Sequence, residues 1–459
     1  MFEEPEMNLP NYFLADLPPE ATLSPTLVSD ACLTLKRNRH SYLLRRSTEQ
    51  IIRTLSVVAS EWLQHDNGFR QLALQHGPAA LGFSRETLAR GLDDFFRQLT
   101  AENFHALLKQ EFGDVRRLDQ LVSSDVEQKL GRASIATGPE MLVHIAAGNI
   151  PNPTLMSIVL GLLTRSAQFV KCASDTSLIP RLFAHSIYES DPKLAACLEI
   201  AEWPGSATAL NDAVFAESDC VTATGSDETL AAIRNRLPQR VRFLGYGHRV
   251  SFGYVAADVL TSFNAKKIIA RAADDMTAWD QLGCLSPHVI YVQSGGTLSV
   301  EEFASHLAVE LTQREQTELR GHVSAETSAG IVARRAIYEL RAAHSDETQL
   351  WKSQHSTAWT VVCEADNRFQ LSCGHRFIYI KPARDVDDVL QAADTVRGQV
   401  STVGVSVPEH LAGEIATKLA RWGVTRVCPL GQMQNPPLTW RHDGRPALED
   451  LITWTDFEL

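Results

Sequence analysis

The sequence lacks the signals of a disulfide frame, a membrane anchor or a polyanion-binding surface. Its 459 residues include eight cysteines, at positions 32, 172, 197, 220, 284, 363, 373 and 428, and no two form a C-x-x-C pair. That usage suits reduced thiols in a cytoplasmic protein. Cys363 and Cys373 lack zinc-ligand spacing, so no metal site is expected and both read as structural. The longest apolar run, near residues 155–163, falls well short of a bilayer span, so no membrane span is expected. The first eight residues are acidic rather than basic, which is not the pattern of a secretory leader. Lys and Arg number 43 against 55 Asp and Glu, a net charge of −12, which argues against nucleic acid as a partner. No repeat or low-complexity tract occurs. Gly245-Tyr246-Gly247-His248-Arg249-Val250 lacks the third glycine of a dinucleotide fingerprint.

What is present suits a globular chain with a real core: 44% hydrophobic and 21% charged residues. The length suggests two or three domains. Residues 1–38 carry five prolines and read as irregular. Residues 41–66 read as an amphipathic helix, because Leu44, Ile51, Ile52, Leu55, Val58, Ala59 and Trp62 recur at three and four. Residues 84–99, 100–112 and 115–121 add more helix, so the first 130 residues are predicted to be helical.

From Met141 the pattern alternates. Strands are predicted at 141–146, 168–173, 219–224 and 240–244, with helices at 154–164, 179–188 and 226–236. Such alternation implies a parallel, doubly wound sheet, which binds nucleotides at the carboxyl ends of its strands. A second α/β unit runs from Ser251 to Val427. Its helices are predicted at 264–279, 300–314, 325–343, 386–397 and 410–422. Its strands are predicted at 289–292, 357–363, 376–380, 401–405 and 425–427. The domains are thus read as 1–250, 251–427 and a segment 428–459.

Candidate reacting groups follow from these placements. Cys284 falls in a loop between a helix and a strand, within Gln281-Leu282-Gly283-Cys284-Leu285-Ser286-Pro287. Such a thiol is either a nucleophile held on a rigid scaffold or, as for most cysteines, a buried small hydrophobe. Asn149, in Gly148-Asn149-Ile150-Pro151, is either a turn residue or an amide aimed at a developing oxyanion. Lys171 ends a strand. Thr224-Gly225-Ser226 joins a strand to a helix, where backbone N–H groups suit an anion, although many helices begin this way. His248 is a loop histidine or an acid–base partner.

The Cys284 segment resembles the nucleophile loop of the aldehyde dehydrogenase superfamily. With Trp279-Asp280-Gln281 before it and His288-Val289-Ile290-Tyr291 after it, the segment is similar to the LuxC-type acyl-CoA reductases. These are the fatty acid reductases of bacterial bioluminescence and their non-luminous relatives. The resemblance covers about residues 40–459. The implied fold is α/β and aldehyde dehydrogenase-like: two doubly wound α/β domains, a helical N-terminal region and a small oligomerisation β-element. The first domain, 1–250, would be the cofactor-binding one, the second would be catalytic, and 428–459 would bridge subunits.

The resemblance also implies roles. Cys284 is the nucleophile, Asn149 and the Cys284 N–H hold the oxyanion, and His248 serves as acid–base partner. Lys171, Ser174, Thr224, Gly225, Ser226 and Gly245 meet the cofactor. Ser174 replaces the superfamily's ribose-binding glutamate and removes its repulsion of a 2′-phosphate, which points to NADP(H). Phe243 replaces the glutamate that activates water, so an acyl-enzyme would await hydride rather than hydrolysis. Arg376-Phe377-Ile378-Tyr379 stands where the superfamily has Glu-Glu-x-Phe-Gly-Pro, and the ribose-holding carboxylate is missing from it. His442-Asp443 could suggest a catalytic pair, but Asp443-Gly444 is the stronger signal, for a turn.

The expected function is NADPH-dependent reduction of an acyl-CoA or acyl-carrier thioester to an aldehyde. An acyl-activating partner enzyme is conceivable. The tail reads as a strand pair completing a neighbour's sheet in a homodimer or homotetramer. The alternatives are an acyl-phosphate reductase and a non-redox acyl-transfer or scaffold subunit.

Overall fold

The computed structural model describes residues 9–18, 20–146, 148 and 150–458. The chain forms two compact units. One comprises the residues up to Leu81, 92–247 and those from Pro437 on; the other comprises 82–91 and 248–436.

The first unit holds a small antiparallel pair and a five-stranded parallel sheet. Strand β1 (Arg132–Thr137) pairs with the strand Thr453–Glu458, in register from Arg132 opposite Glu458 to Thr137 opposite Thr453. The sheet contains β2 (Met141–Ile145), β3 (Ala167–Cys172), β4 (Leu198–Glu202), β5 (Cys220–Thr224) and β6 (Arg242–Tyr246), in the order β4-β3-β2-β5-β6. The order reverses between β2 and β5. In an open parallel sheet that reversal opens a crevice at the carboxyl edge.

Helices bury the sheet because their apolar residues share one face. Thr48–Trp62 opens on Ser47, whose hydroxyl accepts from Gln50 N–H while the Gln50 side chain returns the bond. Its Ile51, Ile52, Leu55, Val58 and Trp62 enter a core shared with Phe104, Leu155, Ile158, Phe183, Leu438, Leu448 and Ile452.

Three expectations fail here. Residues 25–38 are not irregular: Pro25–Asn38 is a helix capped by Ser24, with proline at its first position, and it buries Val28, Cys32 and Leu35. The helix predicted at 41–66 begins only at Thr48, because Ser47 caps it. The tail is not a strand pair, since Thr453–Glu458 finds its partner in β1, just beyond the region expected to be helical. Strands β1 and β4 were too mixed in composition to predict.

The second unit is a seven-stranded sheet. Its strands are β7 (Val250–Val255), β8 (Pro287–Gln293), β9 (Thr348–Lys352), β10 (Thr360–Glu364), β11 (Phe377–Ala383), β12 (Val400–Ser406) and β13 (Arg426–Pro429). They lie in the order β13-β12-β7-β8-β11-β10-β9, parallel except that β9 runs antiparallel to β10 at one edge. Helices Val300–Arg314, Ala325–His344 and Glu409–Trp422 match expectation within a residue. Strands β7 and β9 were not predicted. Among the described residues no helix is long and apolar enough to cross a membrane, and no group of three or more metal-ligating side chains could hold an ion.

One interior contact of the first unit is testable. His144, on β2, is buried between Thr222 Oγ1 (2.7 Å) and Gln168 Oε1 (2.9 Å), and burial pushes its pKa down to about 4. The Gln168 amide also donates to the Ile158 carbonyl. That carboxamide fills the space a Cβ at Gly161 would need. Gly161→Ala should therefore lower stability by about 1–3 kcal/mol, read as a lower urea midpoint. An unchanged midpoint would show that the carboxamide has room to move.

Candidate active site

Cys284 is the exposed cysteine of the eight; the others are buried or, for Cys373, half-buried. Burial pushes Cys32, Cys172, Cys197, Cys220, Cys363 and Cys428 up to about 12, where little thiolate forms. Cys284 lies just before β8, at the amino edge of the second unit's sheet. Its carbonyl accepts from Ser251 Oγ at 2.9 Å, and Ser286 N–H donates to Gly283 O at 2.9 Å. Leu285 and Ser286 are buried. The thiol therefore stands exposed on a loop whose flanks are fixed.

The base of that loop is unusual. Trp279, Asp280 and Gln281 all have positive φ, at 51°, 49° and 62°. Left-handed backbone costs a non-glycine residue about 1–3 kcal/mol, so other contacts must hold it. Trp279 is buried against Phe83 (ring centroids 5.1 Å apart) and against Gly91, where a Cβ would strike the indole. Asp280 forms a buried ion pair with Arg376 at 2.7 Å and accepts from Gly321 N–H at 3.0 Å. Gln281 Nε2 donates to the Pro287 and Phe377 carbonyls at 2.7 and 2.9 Å. The facing turn is left-handed too, at Gly374 (66°), His375 (54°) and Arg376 (63°).

A third segment closes on the loop. Asp275, buried, accepts from Gly431 and Met433 N–H at 2.5 and 2.8 Å, while Arg426 donates to the Gln432 and Met433 carbonyls. Burial raises the Asp275 pKa to about 7 despite those two N–H donors. The segment so held delivers Gln434, whose amide donates to Ser286 Oγ and occupies the space of a Cβ at Gly283. Nothing in the sequence links Gln434 to Cys284, since 150 residues separate them and neither lies in a shared motif.

His248 is exposed, two residues before β7, and so shares the amino edge with Cys284. Its charge adds to the burial that pushes His288 down to about 4. His288 Nδ1 accepts from Ser372 N–H at 3.2 Å, which leaves Nε2 to carry the proton. Sequence reasoning missed His288, which sits inside an apolar strand.

The first unit carries the expected cofactor residues at the carboxyl edge of its sheet. Thr224 ends β5, and Ser226 caps the helix Asp227–Arg236 by accepting from Thr229 N–H at 3.3 Å. Among the described residues, a Cβ on Gly225 would meet Thr229, at 3.4 Å. Lys171 is buried on β3, where burial lowers its pKa, partly offset by the Glu202 carboxylate. Ser174 is exposed in the turn that follows. That turn is pinned by Glu202, which accepts from Asp175 and Ser177 N–H at 2.6 and 3.1 Å. Glu202 escaped notice because β4 itself was not predicted.

Gly245 is accounted for by packing, because a Cβ there would press on the Phe243 ring at 3.0 Å and Leu230 at 3.3 Å. Phe243 packs against the first unit's apolar core. Asn149 lies outside the described residues. A turn that opens a helix, a lysine and hydroxyls at the sheet's carboxyl edge suit the diphosphate and ribose of a dinucleotide.

The Gln434 contact yields a test. Gly283→Ala should lower the unfolding midpoint by the equivalent of about 1–3 kcal/mol, and Gln434→Ala in the same chain should recover part of it. Strictly additive losses would mean that the two residues do not compete for space.

Comparison with known proteins bears on the family and the fold. The chain is similar to the long-chain acyl-protein thioester reductase of Aliivibrio fischeri, 22% identical over 471 residues, covering 100% of this chain and 90% of the relative. The Vibrio harveyi protein of that name is 21% identical and is matched over 91% of this chain and 84% of its own length. Among solved structures, an NAD-dependent benzaldehyde dehydrogenase from Corynebacterium glutamicum superposes with a TM-score of 0.69 at 14% identity, covering 97% of this chain and 94% of that one. Betaine aldehyde dehydrogenase from Staphylococcus aureus gives 0.68 at 15% identity, over 95% and 88%. The fold is therefore aldehyde dehydrogenase-like. The family model described as acyl-CoA reductase (LuxC) matches residues 43–454, and the chain belongs to that family.

Proposed function

We propose that this protein reduces a long-chain acyl thioester to an aldehyde through an acyl thioester on Cys284. The observation that carries the reading is the exposure of Cys284 on a loop fixed on both sides, while its fellow cysteines are packed away. The thioester reductases to which the chain is similar support an acyl-thioester substrate. A nicotinamide dinucleotide, bound by the first unit, supplies hydride. Lys171, Ser174, Thr224, Gly225 and Ser226 would hold it, and NADP(H) is the proposed form because Ser174 carries no charge.

Cys284 Sγ attacks the thioester carbonyl carbon. Asn149 and the Cys284 N–H donate to the oxyanion, and the donor thiol departs with a proton, for which His248 is the proposed source. The acyl group now sits on Cys284 as a thioester. Phe243 offers no base to water where the superfamily has a glutamate, so the intermediate persists until its carbonyl carbon is reduced. The resulting thiohemiacetal collapses: the carbon–Sγ bond breaks, the aldehyde leaves and the thiol is restored.

The acyl donor is a CoA or carrier-protein thioester, with an acyl-activating enzyme as a possible supplier. The strand Thr453–Glu458 is exposed, with Phe457 open to solvent, which supports its use by a neighbouring copy in a homodimer or homotetramer.

Cys284→Ala should make no aldehyde from long-chain acyl-CoA and NADPH, and should take up no label from radioactive acyl-CoA. Aldehyde from that variant would overturn the reading. Acyl phosphate supplied in place of acyl-CoA should be a poor substrate; a strong preference for it would shift the assignment to an acyl-phosphate reductase. Saturable quenching by NADPH is expected, and its absence would leave a scaffold.

Glu202 bears on cofactor choice, since its carboxylate sits beside Lys171 at the proposed ribose site. Glu202→Gln should raise the NADPH-to-NADH ratio of kcat/KM by about tenfold, as relief of a like charge worth roughly 1.4 kcal/mol would. An unchanged ratio would remove Glu202 from cofactor discrimination.

A further inference from the structure

We infer that the buried Asp280–Arg376 pair is the positioning device of the nucleophile, a latch that holds two left-handed turns together so that Cys284 stands at a fixed place. The inference rests on Cys284 as nucleophile, and it concerns two side chains buried beneath the loop that carries it. The two runs of positive φ, 279–281 and 374–376, are far apart in sequence and face each other in space. A Cβ on Gly374 would lie 3.3 Å from Leu282 Cδ2 and 3.5 Å from the Gln281 carbonyl, so the turns are in contact. The ion pair joins them at 2.7 Å with a second bond from Arg376 Nε at 2.9 Å, and both side chains are about 3% exposed.

Each partner is also tied down on its far side. Arg376 donates to the Glu318 carbonyl at 2.7 Å, and Asp280 accepts from Gly321 N–H at 3.0 Å. The segment 318–321 thus braces both halves. Arg90 adds a contact to the same segment through the Glu318 carboxylate at 3.1 Å and holds Thr277 Oγ1, just ahead of the first turn, at 3.1 Å.

Left-handed strain in non-glycine residues persists only where its surroundings over-determine it, and such places cluster at reacting sites. Here the strain reverses the chain between the helix Ala265–Thr277 and β8. Leu282 N–H closes the turn on the Trp279 carbonyl at 2.9 Å, two residues before the thiol. Removal of one charge leaves the other buried and uncompensated, which favours relaxation of both turns. The relaxed loop would still present a thiol, but not at the place from which it meets the thioester carbonyl.

The test uses the full-length protein. Asp280→Asn keeps the volume and removes the charge. Amide hydrogen exchange in peptides spanning 279–286 should speed up by about tenfold or more, while β8 beyond Val289 stays protected. Transfer of a labelled acyl group from acyl-CoA to Cys284 should slow by about tenfold or more, with the NADPH Kd unchanged within about twofold. Arg376→Lys, which retains the charge but not the forked donor, should recover part of both effects.

Unchanged exchange across 279–286 in Asp280→Asn would overturn the latch. So would a loss of acyl transfer matched by an equal loss of NADPH binding, since that reports general unfolding. If the unaltered protein takes up no label, the reductase reading fails, and the exchange measurement, which needs no substrate, still upholds or overturns the latch.

Discussion

A loop that presents one side chain in a fixed place has opposed requirements: its tip must reach solvent and its base must not move. Here the base is held by charge in the interior, where an unpaired ion would cost several kcal/mol. Asp280 and Arg376 satisfy each other and the backbone groups around them, so burial of the pair becomes a source of rigidity. Gln281 uses its amide on two strand carbonyls, and Gln434 closes the other side against Ser286. Cys284 is thus set by side chains from β8's lead-in, from the turn before β11 and from the segment after β13. The exposed thiol sits at the amino edge of the second sheet.

In the first unit the governing feature is the reversal of strand order between β2 and β5. The turn after β5 opens a helix capped by Ser226, and the turn after β3 is pinned by Glu202 from β4. Glu202 therefore does two things at once. It orders the turn that carries Ser174, and its charge favours the protonated Lys171 against the cost of burial.

Much of this was legible in the sequence, for identifiable reasons. The alternation of apolar runs located most of the parallel strands, and the helix Val300–Arg314 has the bounds predicted for it, with a capping box of Ser299 and Glu302 at its start. The loop character of Cys284 followed from the helical spacing before it and the apolar run after it. Strands β1, β4, β7 and β9 were missed, because polar residues or glycine interrupt their apolar ones. Gln434, Glu202 and the Asp280–Arg376 pair were invisible for another reason. Their meaning lies in contacts between distant segments, and no local pattern encodes which carboxylate a buried arginine will meet. The left-handed turn at 279–281 was hidden as well, because Trp, Asp and Gln carry none of the glycine signal that usually marks such backbone.

The first unit is built from both ends of the chain. Leu438, Leu448 and Ile452 belong to a core whose other buried residues run no further than Ile200, and Thr453–Glu458 completes the pair with β1. During synthesis, the contiguous stretch 248–436 of the second unit emerges whole before those residues leave the ribosome. The order of assembly is then the reverse of the order of reading: the unit translated later has all but its 82–91 segment in one piece and can close first. The unit begun earlier keeps an unfilled core until the last two dozen residues arrive.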